Sequence, residues 1–127
     1  MSCFWDSLIQ SISNEDKITF FNNNLNPIDF AKTLKQKNTL TLNVTWNTEN
    51  LTTQFLDENK QAIDSYDTNT IYNGYYCSSC EPFLFLLCEL LNIEIQHNYN
   101  NNLMIYKHIK NNRYIIKINS DNGHCWK

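Results

Sequence analysis

Five cysteines, Cys3, Cys77, Cys80, Cys88 and Cys125, and three histidines, His97, His108 and His124, are the side chains best suited to covalent or metal chemistry. An odd cysteine count excludes a complete disulfide framework, leaving free thiols, metal ligands or a nucleophile. Cys3 and His124 stand out because they sit at opposite ends of the chain. A cysteine nucleophile works as the thiolate. The positive end of a helix dipole and a neighbouring imidazolium both favour that form. A cysteine opening a helix and a histidine entering a late strand would divide the labour of a cysteine hydrolase, with thiolate attack and proton relay. The plainer alternative makes Cys3 a buried small hydrophobe and His124 an ordinary turn histidine.

Cys77-Ser78-Ser79-Cys80 forms a C-x-x-C ahead of a helix. Half a zinc site is one reading, since thiolates bind that metal. Cys77 and Cys80 are weak metal candidates, however, because no second C-x-x-C or H-x₃₋₅-H exists. Cys88, His97 or His108 would have to converge on them. A thioredoxin-type pair would need a preceding strand in a βαβ unit, which the sequence does not offer. The simplest reading is a structural loop whose cysteines pack under the next helix. His97 and His108 read as surface or satisfied histidines, and Trp46, Phe83 and Phe85 as core. Glu49, Asp57, Glu58 and Asp64 read as the solvent face of a helix.

The elements that must position these groups follow from periodicity. Phe4, Leu8 and Ile12, flanked by Trp5 and Ile9, predict a helix over Phe4–Ile12, capped by Ser2, with Cys3 in its first turn. Asn26 as cap and Pro27 at the first position predict a second helix over Pro27–Lys37. Thr39–Trp46 alternates like a half-buried strand, and Glu49–Ser65 returns to helical spacing. Asp67–Gly74 reads as a polar loop. Ser79 should cap a buried helix over Pro82–Leu91. Three strands follow, Ile93–Tyr99, Leu103–Lys107 and Arg113–Asn119, with Asn-rich turns between them. A short last strand carries His124, Cys125 and Trp126. Helices followed by an antiparallel meander imply an α+β fold, with helices packed on a small, mostly antiparallel sheet.

Composition agrees. The 127 residues suit one domain spanning 1–127, and 42% hydrophobic residues against 18% charged suffice for a core. A net charge of −3 recommends neither a nucleic-acid nor an anionic-membrane partner. No signal peptide or transmembrane run is legible, so an intracellular location is expected.

Ser2-Cys3-Phe4-Trp5-Asp6-Ser7-Leu8 resembles the nucleophile segment of ovarian-tumour (OTU) domain cysteine proteases. In that family a small polar residue precedes Cys, an aromatic follows, and Ser or Ala then Leu come four and five later. Gly123-His124-Cys125-Trp126 resembles its closing motif of Gly or Asn, His and an aromatic-rich strand. Tyr75-Tyr76, the helix Pro82–Leu91 and Ile93-Glu94-Ile95 look like the middle of the OTU fold. The likeness in element order covers nearly the whole chain. It extends to compact OTU-like proteins of large DNA viruses, and the location would then be the host cytoplasm.

The resemblance implies an OTU-like/papain-like fold and a deubiquitinase acting on ubiquitin or a ubiquitin-like protein. Cys3 and His124 would be catalytic, and no cofactor would be needed. The family's pattern places Asp or Asn two residues after the histidine, where this chain has Trp126. Asp121 or Asn122 are therefore the candidate orienting residues. No Asp precedes Cys3, so a dyad of weak activity is expected. Two alternatives belong to other classes: a catalytically impaired OTU-fold binding or virion-associated module, and a zinc-stabilised interaction domain.

Overall fold

The computed structural model describes residues 3–23, 25–73, 77–121 and 125–127, without the side chains of residues 73 and 77–79. The fold is α+β: among the described residues, five α-helices and a short 3-10 helix, Thr68–Asn73, accompany a mixed six-stranded sheet. The helices are α1 (Cys3–Ser11), α2 (Asn14–Thr19), α3 (Pro27–Gln36), α4 (Thr53–Ser65) and α5 (Cys77–Leu91). The strands are β1 (Val44–Trp46), β2 (Glu49–Asn50), β3 (Glu94–Tyr99), β4 (Asn102–His108), β5 (Ile115–Ser120) and β6 (Cys125–Trp126).

Local chemistry explains most boundaries. Asn26 caps α3, its side chain accepting the Asp29 N–H at 2.9 Å with Pro27 just inside the helix, as the sequence predicts. The strand expected over Thr39–Trp46 is only Val44–Trp46. The Asn43 N–H and Nδ2 both donate to the Glu89 carboxylate, at 2.8 and 3.0 Å, and the backbone turns there. Leu42 is consequently exposed and Thr41 buried, the reverse of the strand alternation. The helix expected from Glu49 starts at Thr53 instead, because Asn47 and Thr48 adopt positive φ (50° and 71°) and close a β1–β2 hairpin. Thr52 then caps α4. Ser79 is not the cap of α5, which already begins at Cys77 and takes Pro82 in its second turn.

The sheet order is β2-β1-β4-β3-β5-β6. Four of its pairings are antiparallel, but β5 runs parallel to β3 and does not continue a meander beyond β4. The reason is that β1 occupies the far edge of β4. The chain after β4 therefore rounds the start of β3, where Arg113 N–H donates to Asn92 O at 2.9 Å and Glu94 N–H to Tyr114 O at 3.1 Å.

α5 fills the centre. Every residue from Phe83 to Cys88 is fully buried, with the sheet against one side and α3 and α4 against others. Near-continuous apolarity in this helix thus reflects burial all round. α1 packs on α3, β5 and β6, which sets Cys3 beside the last strand. Among the described residues, no helix is long and apolar enough to cross a membrane.

Candidate functional site

Cys3 is the first described residue of α1 and is half-buried. Its position follows from the apolar face behind it. Phe4, Trp5 and Leu8 are buried, and Trp5 meets Phe83 edge-on at 4.8 Å between ring centroids. That packing fixes the helix on the sheet and leaves its start at the edge strand. There the Cys125 N–H donates to Cys3 Sγ at 3.2 Å, joining residues 122 apart in sequence. A thiolate accepts such a bond better than a thiol does.

Cys125 is 6% exposed and lies opposite Ser120 in the β5–β6 ladder. Ser120 Oγ is 2.5 Å from Nε2 of His97, and both side chains are buried. Cys3, Cys125, Ser120 and His97 thus form a polar file at one end of the sheet. Burial pushes the His97 imidazole down to about 4, so it is neutral near pH 7. Among the described residues its Nδ1 has no hydrogen-bond partner. Of the two readings of His97, surface or satisfied, the structure shows a buried ring satisfied at Nε2, in the core beside the candidate site. Ser120 escaped the sequence reading as well. Its signal was the alternation Ile116, Ile118, Ser120, which aims a hydroxyl inward.

A cavity of about 250 Å³ opens at the same end of the sheet. Its walls are Asn98, Asn119, Ser120, Asp121 and Trp126, with Asn100 and Asn101 of the β3–β4 turn. Trp126 is half exposed, and Asn98 Oδ1 is a buried acceptor with no partner among the described residues. The structure thus gathers Cys3, Cys125, Asp121 and Trp126 at one end of the fold. His124, Asn122, Gly123 and the proposed cap Ser2 lie outside the described residues, as do Tyr75 and Tyr76.

The remaining candidates separate from this site. The Cys77 side chain lies outside the described set. Cys80 is buried, and its thiol sits against the Tyr66 phenol, which burial and this neighbour push up. Cys88 is buried within α5, donates to Tyr106 O at 3.5 Å, and has its thiol pushed far up by burial. His108 is buried too, with Nδ1 accepting the Lys110 N–H at 3.1 Å and Nε2 lying 3.7 Å from Glu89. Among the described residues, no three His, Cys, Asp or Glu side chains gather as a metal site.

The fold class is thus a small α+β domain with a mixed sheet and a cysteine where the first helix meets the last strand. Compared with protein-family models, with curated proteins and with solved structures, the chain matches none.

Proposed function

We propose that this chain is an OTU-like, papain-like cysteine protease domain that cleaves ubiquitin-type isopeptide bonds through a Cys3–His124 dyad. The observation that carries the reading is the 3.2 Å bond from the Cys125 N–H to Cys3 Sγ. That amide is the peptide link to His124, so the two motif-bearing segments meet at the sulfur. In this reading Cys3 attacks the carbonyl carbon, and His124 takes the thiol proton and later delivers it to the leaving amine. Backbone N–H groups at the start of α1 stabilise the oxyanion. Asp121 or Asn122 orients the imidazole.

The test is reaction with ubiquitin carrying a C-terminal electrophile, followed by peptide mapping. Cys3 should label ahead of the other four cysteines, because thiolate fraction and access set the rate. His124→Ala should slow labelling on the order of 100-fold, the usual contribution of a positioned acid–base group. Cys77→Ser and Cys80→Ser should leave it intact. Labelling indifferent to His124 would instead support a non-catalytic binding module on the same fold.

A further inference from the structure

We propose that Cys3 and Cys125 form a peroxide-responsive thiol pair, in which Cys125 resolves oxidised Cys3 as a reversible disulfide. The inference rests on sulfur geometry and not on the hydrolase reading. Both residues are thiols in this structure. With Cys125 N 3.2 Å from Cys3 Sγ and an N–Cα bond of about 1.46 Å, the Cys125 Cα lies no more than about 4.7 Å from that sulfur. That separation is within reach of a Cβ–S–S–Cβ bridge once the side chains rotate.

Exposure assigns the two roles. Cys3 is half-buried at the start of its helix and can meet a small oxidant, whereas Cys125 is 6% exposed and meets little besides its neighbours. Cys88 is no competitor, because it is fully buried and its thiol is pushed far up.

The chemistry needs a hydroperoxide as oxidant. The Cys3 thiolate attacks the peroxide oxygen, an S–O bond forms, the O–O bond breaks, and hydroxide or alkoxide leaves. Sulfur is oxidised by two electrons to the sulfenic acid. The Cys125 thiol then attacks Cys3 Sγ. The S–S bond forms, the S–O bond breaks, and the departing hydroxide takes the thiol proton as water. In sum, two thiols and one hydroperoxide give a disulfide, an alcohol or water, and a second water. A thiol reductant reverses the change, so in a reducing compartment the pair closes only transiently. Closure also removes the Cys3 nucleophile.

The experiment treats the full-length chain with a small molar excess of hydrogen peroxide and maps peptides by mass spectrometry without reduction. The wild type should lose two hydrogen atoms in mass, yield a Cys3–Cys125 cross-linked peptide, form no disulfide between chains and recover with dithiothreitol. Cys125→Ala should trap Cys3 as a dimedone adduct and pass on to the irreversible sulfinic acid. The wild type alone is decisive if that variant misfolds, because its cross-linked peptide identifies the partners. Dimedone or sulfinic adducts at Cys3 in the wild type at the variant's rate would overturn the proposal. So would a bridge between other cysteines, or loss of two hydrogens in Cys125→Ala through the backbone amide. Electrophile labelling that ignores His124 would leave the cross-link unaffected, so the two readings fail separately.

Discussion

A single carboxylate shows how far one residue reaches in this fold. Asp16 on α2 is buried and accepts the Tyr114 hydroxyl together with both Arg113 nitrogens, at 3.2 and 3.0 Å. Burial alone would raise its pKa, but the Tyr114 and Arg113 bonds outweigh it and hold the carboxyl below its usual value. Arg113 also donates to Leu91 O at 2.9 Å, tying α2 to the end of α5 and the start of β5. Asp16→Ala strands that hydroxyl and guanidinium. Because Arg113 is partly solvated, the expected loss is about 2 kcal/mol in urea unfolding, below the range for a fully buried pair. A loss under about 0.5 kcal/mol, as for an ordinary surface substitution, would show the clamp to be incidental. None of this was legible in the sequence. Asp16 and Tyr114 are 98 residues apart, and only the path of the chain around β3 unites them. Cys3 was legible because helical spacing and a terminal motif place it at a helix start without tertiary knowledge. Cys125 as its neighbour, with Ser120 opposite Cys125, required the β5–β6 register.

At the scale of elements, sequence reading succeeded where one residue type settles the backbone and failed where two segments compete for a partner. Asn26-Pro27 announced α3, and the apolar run announced α5. The β1–β2 hairpin was hidden because Asn47-Thr48 is not a glycine turn. It is held by Asn47, whose N–H donates to Ile105 O at 2.9 Å and whose Oδ1 accepts the Ile105 N–H at 2.8 Å. The parallel β3–β5 pairing was hidden because local alternation is silent on which edge a strand joins. α5 gives the sharpest test at this scale. Leu86 and Leu87 are fully buried between the sheet and the other helices. Leu87→Asp places an unpaired charge in the core, costs several kcal/mol and should abolish cooperative unfolding. Leu86→Ala, which removes only packing, should cost about 2–5 kcal/mol and keep the fold. A folded, soluble Leu86→Asp/Leu87→Asp chain would show that the core lies elsewhere.

For the whole molecule, His97 and Asp16, two of the buried titratable groups, make stability depend on pH in separate windows. His97 is neutral when folded, with its imidazole depressed to about 4 by burial, while the unfolded chain takes up a proton near the ordinary value of about 6.5. The stability it contributes is therefore complete above the unfolded value and drains away as pH falls towards 4. Asp16 is held below its ordinary value, so its contribution persists lower and is lost only as pH falls through the acid range beneath 3.8. Over its window His97 accounts for up to about 3 kcal/mol, the free-energy equivalent of its displacement. Urea midpoints measured from pH 7 down to pH 3 should thus slope downward between about 6.5 and 4 through His97 and keep falling below that through Asp16. His97→Gln carries no titrating group, so its curve should be flatter by that amount in the upper window and parallel to wild type in the lower one. Since His97 touches Ser120, which lies beside Cys125, acid in the upper window should also loosen the strand that meets Cys3. Hydrogen exchange at the Cys125 amide should quicken between pH 6.5 and 4, after correction for intrinsic exchange, and not in the variant. Equal pH slopes for the two chains would mean that His97 is protonated within the fold, and the buried file beneath α1 would then need a different account.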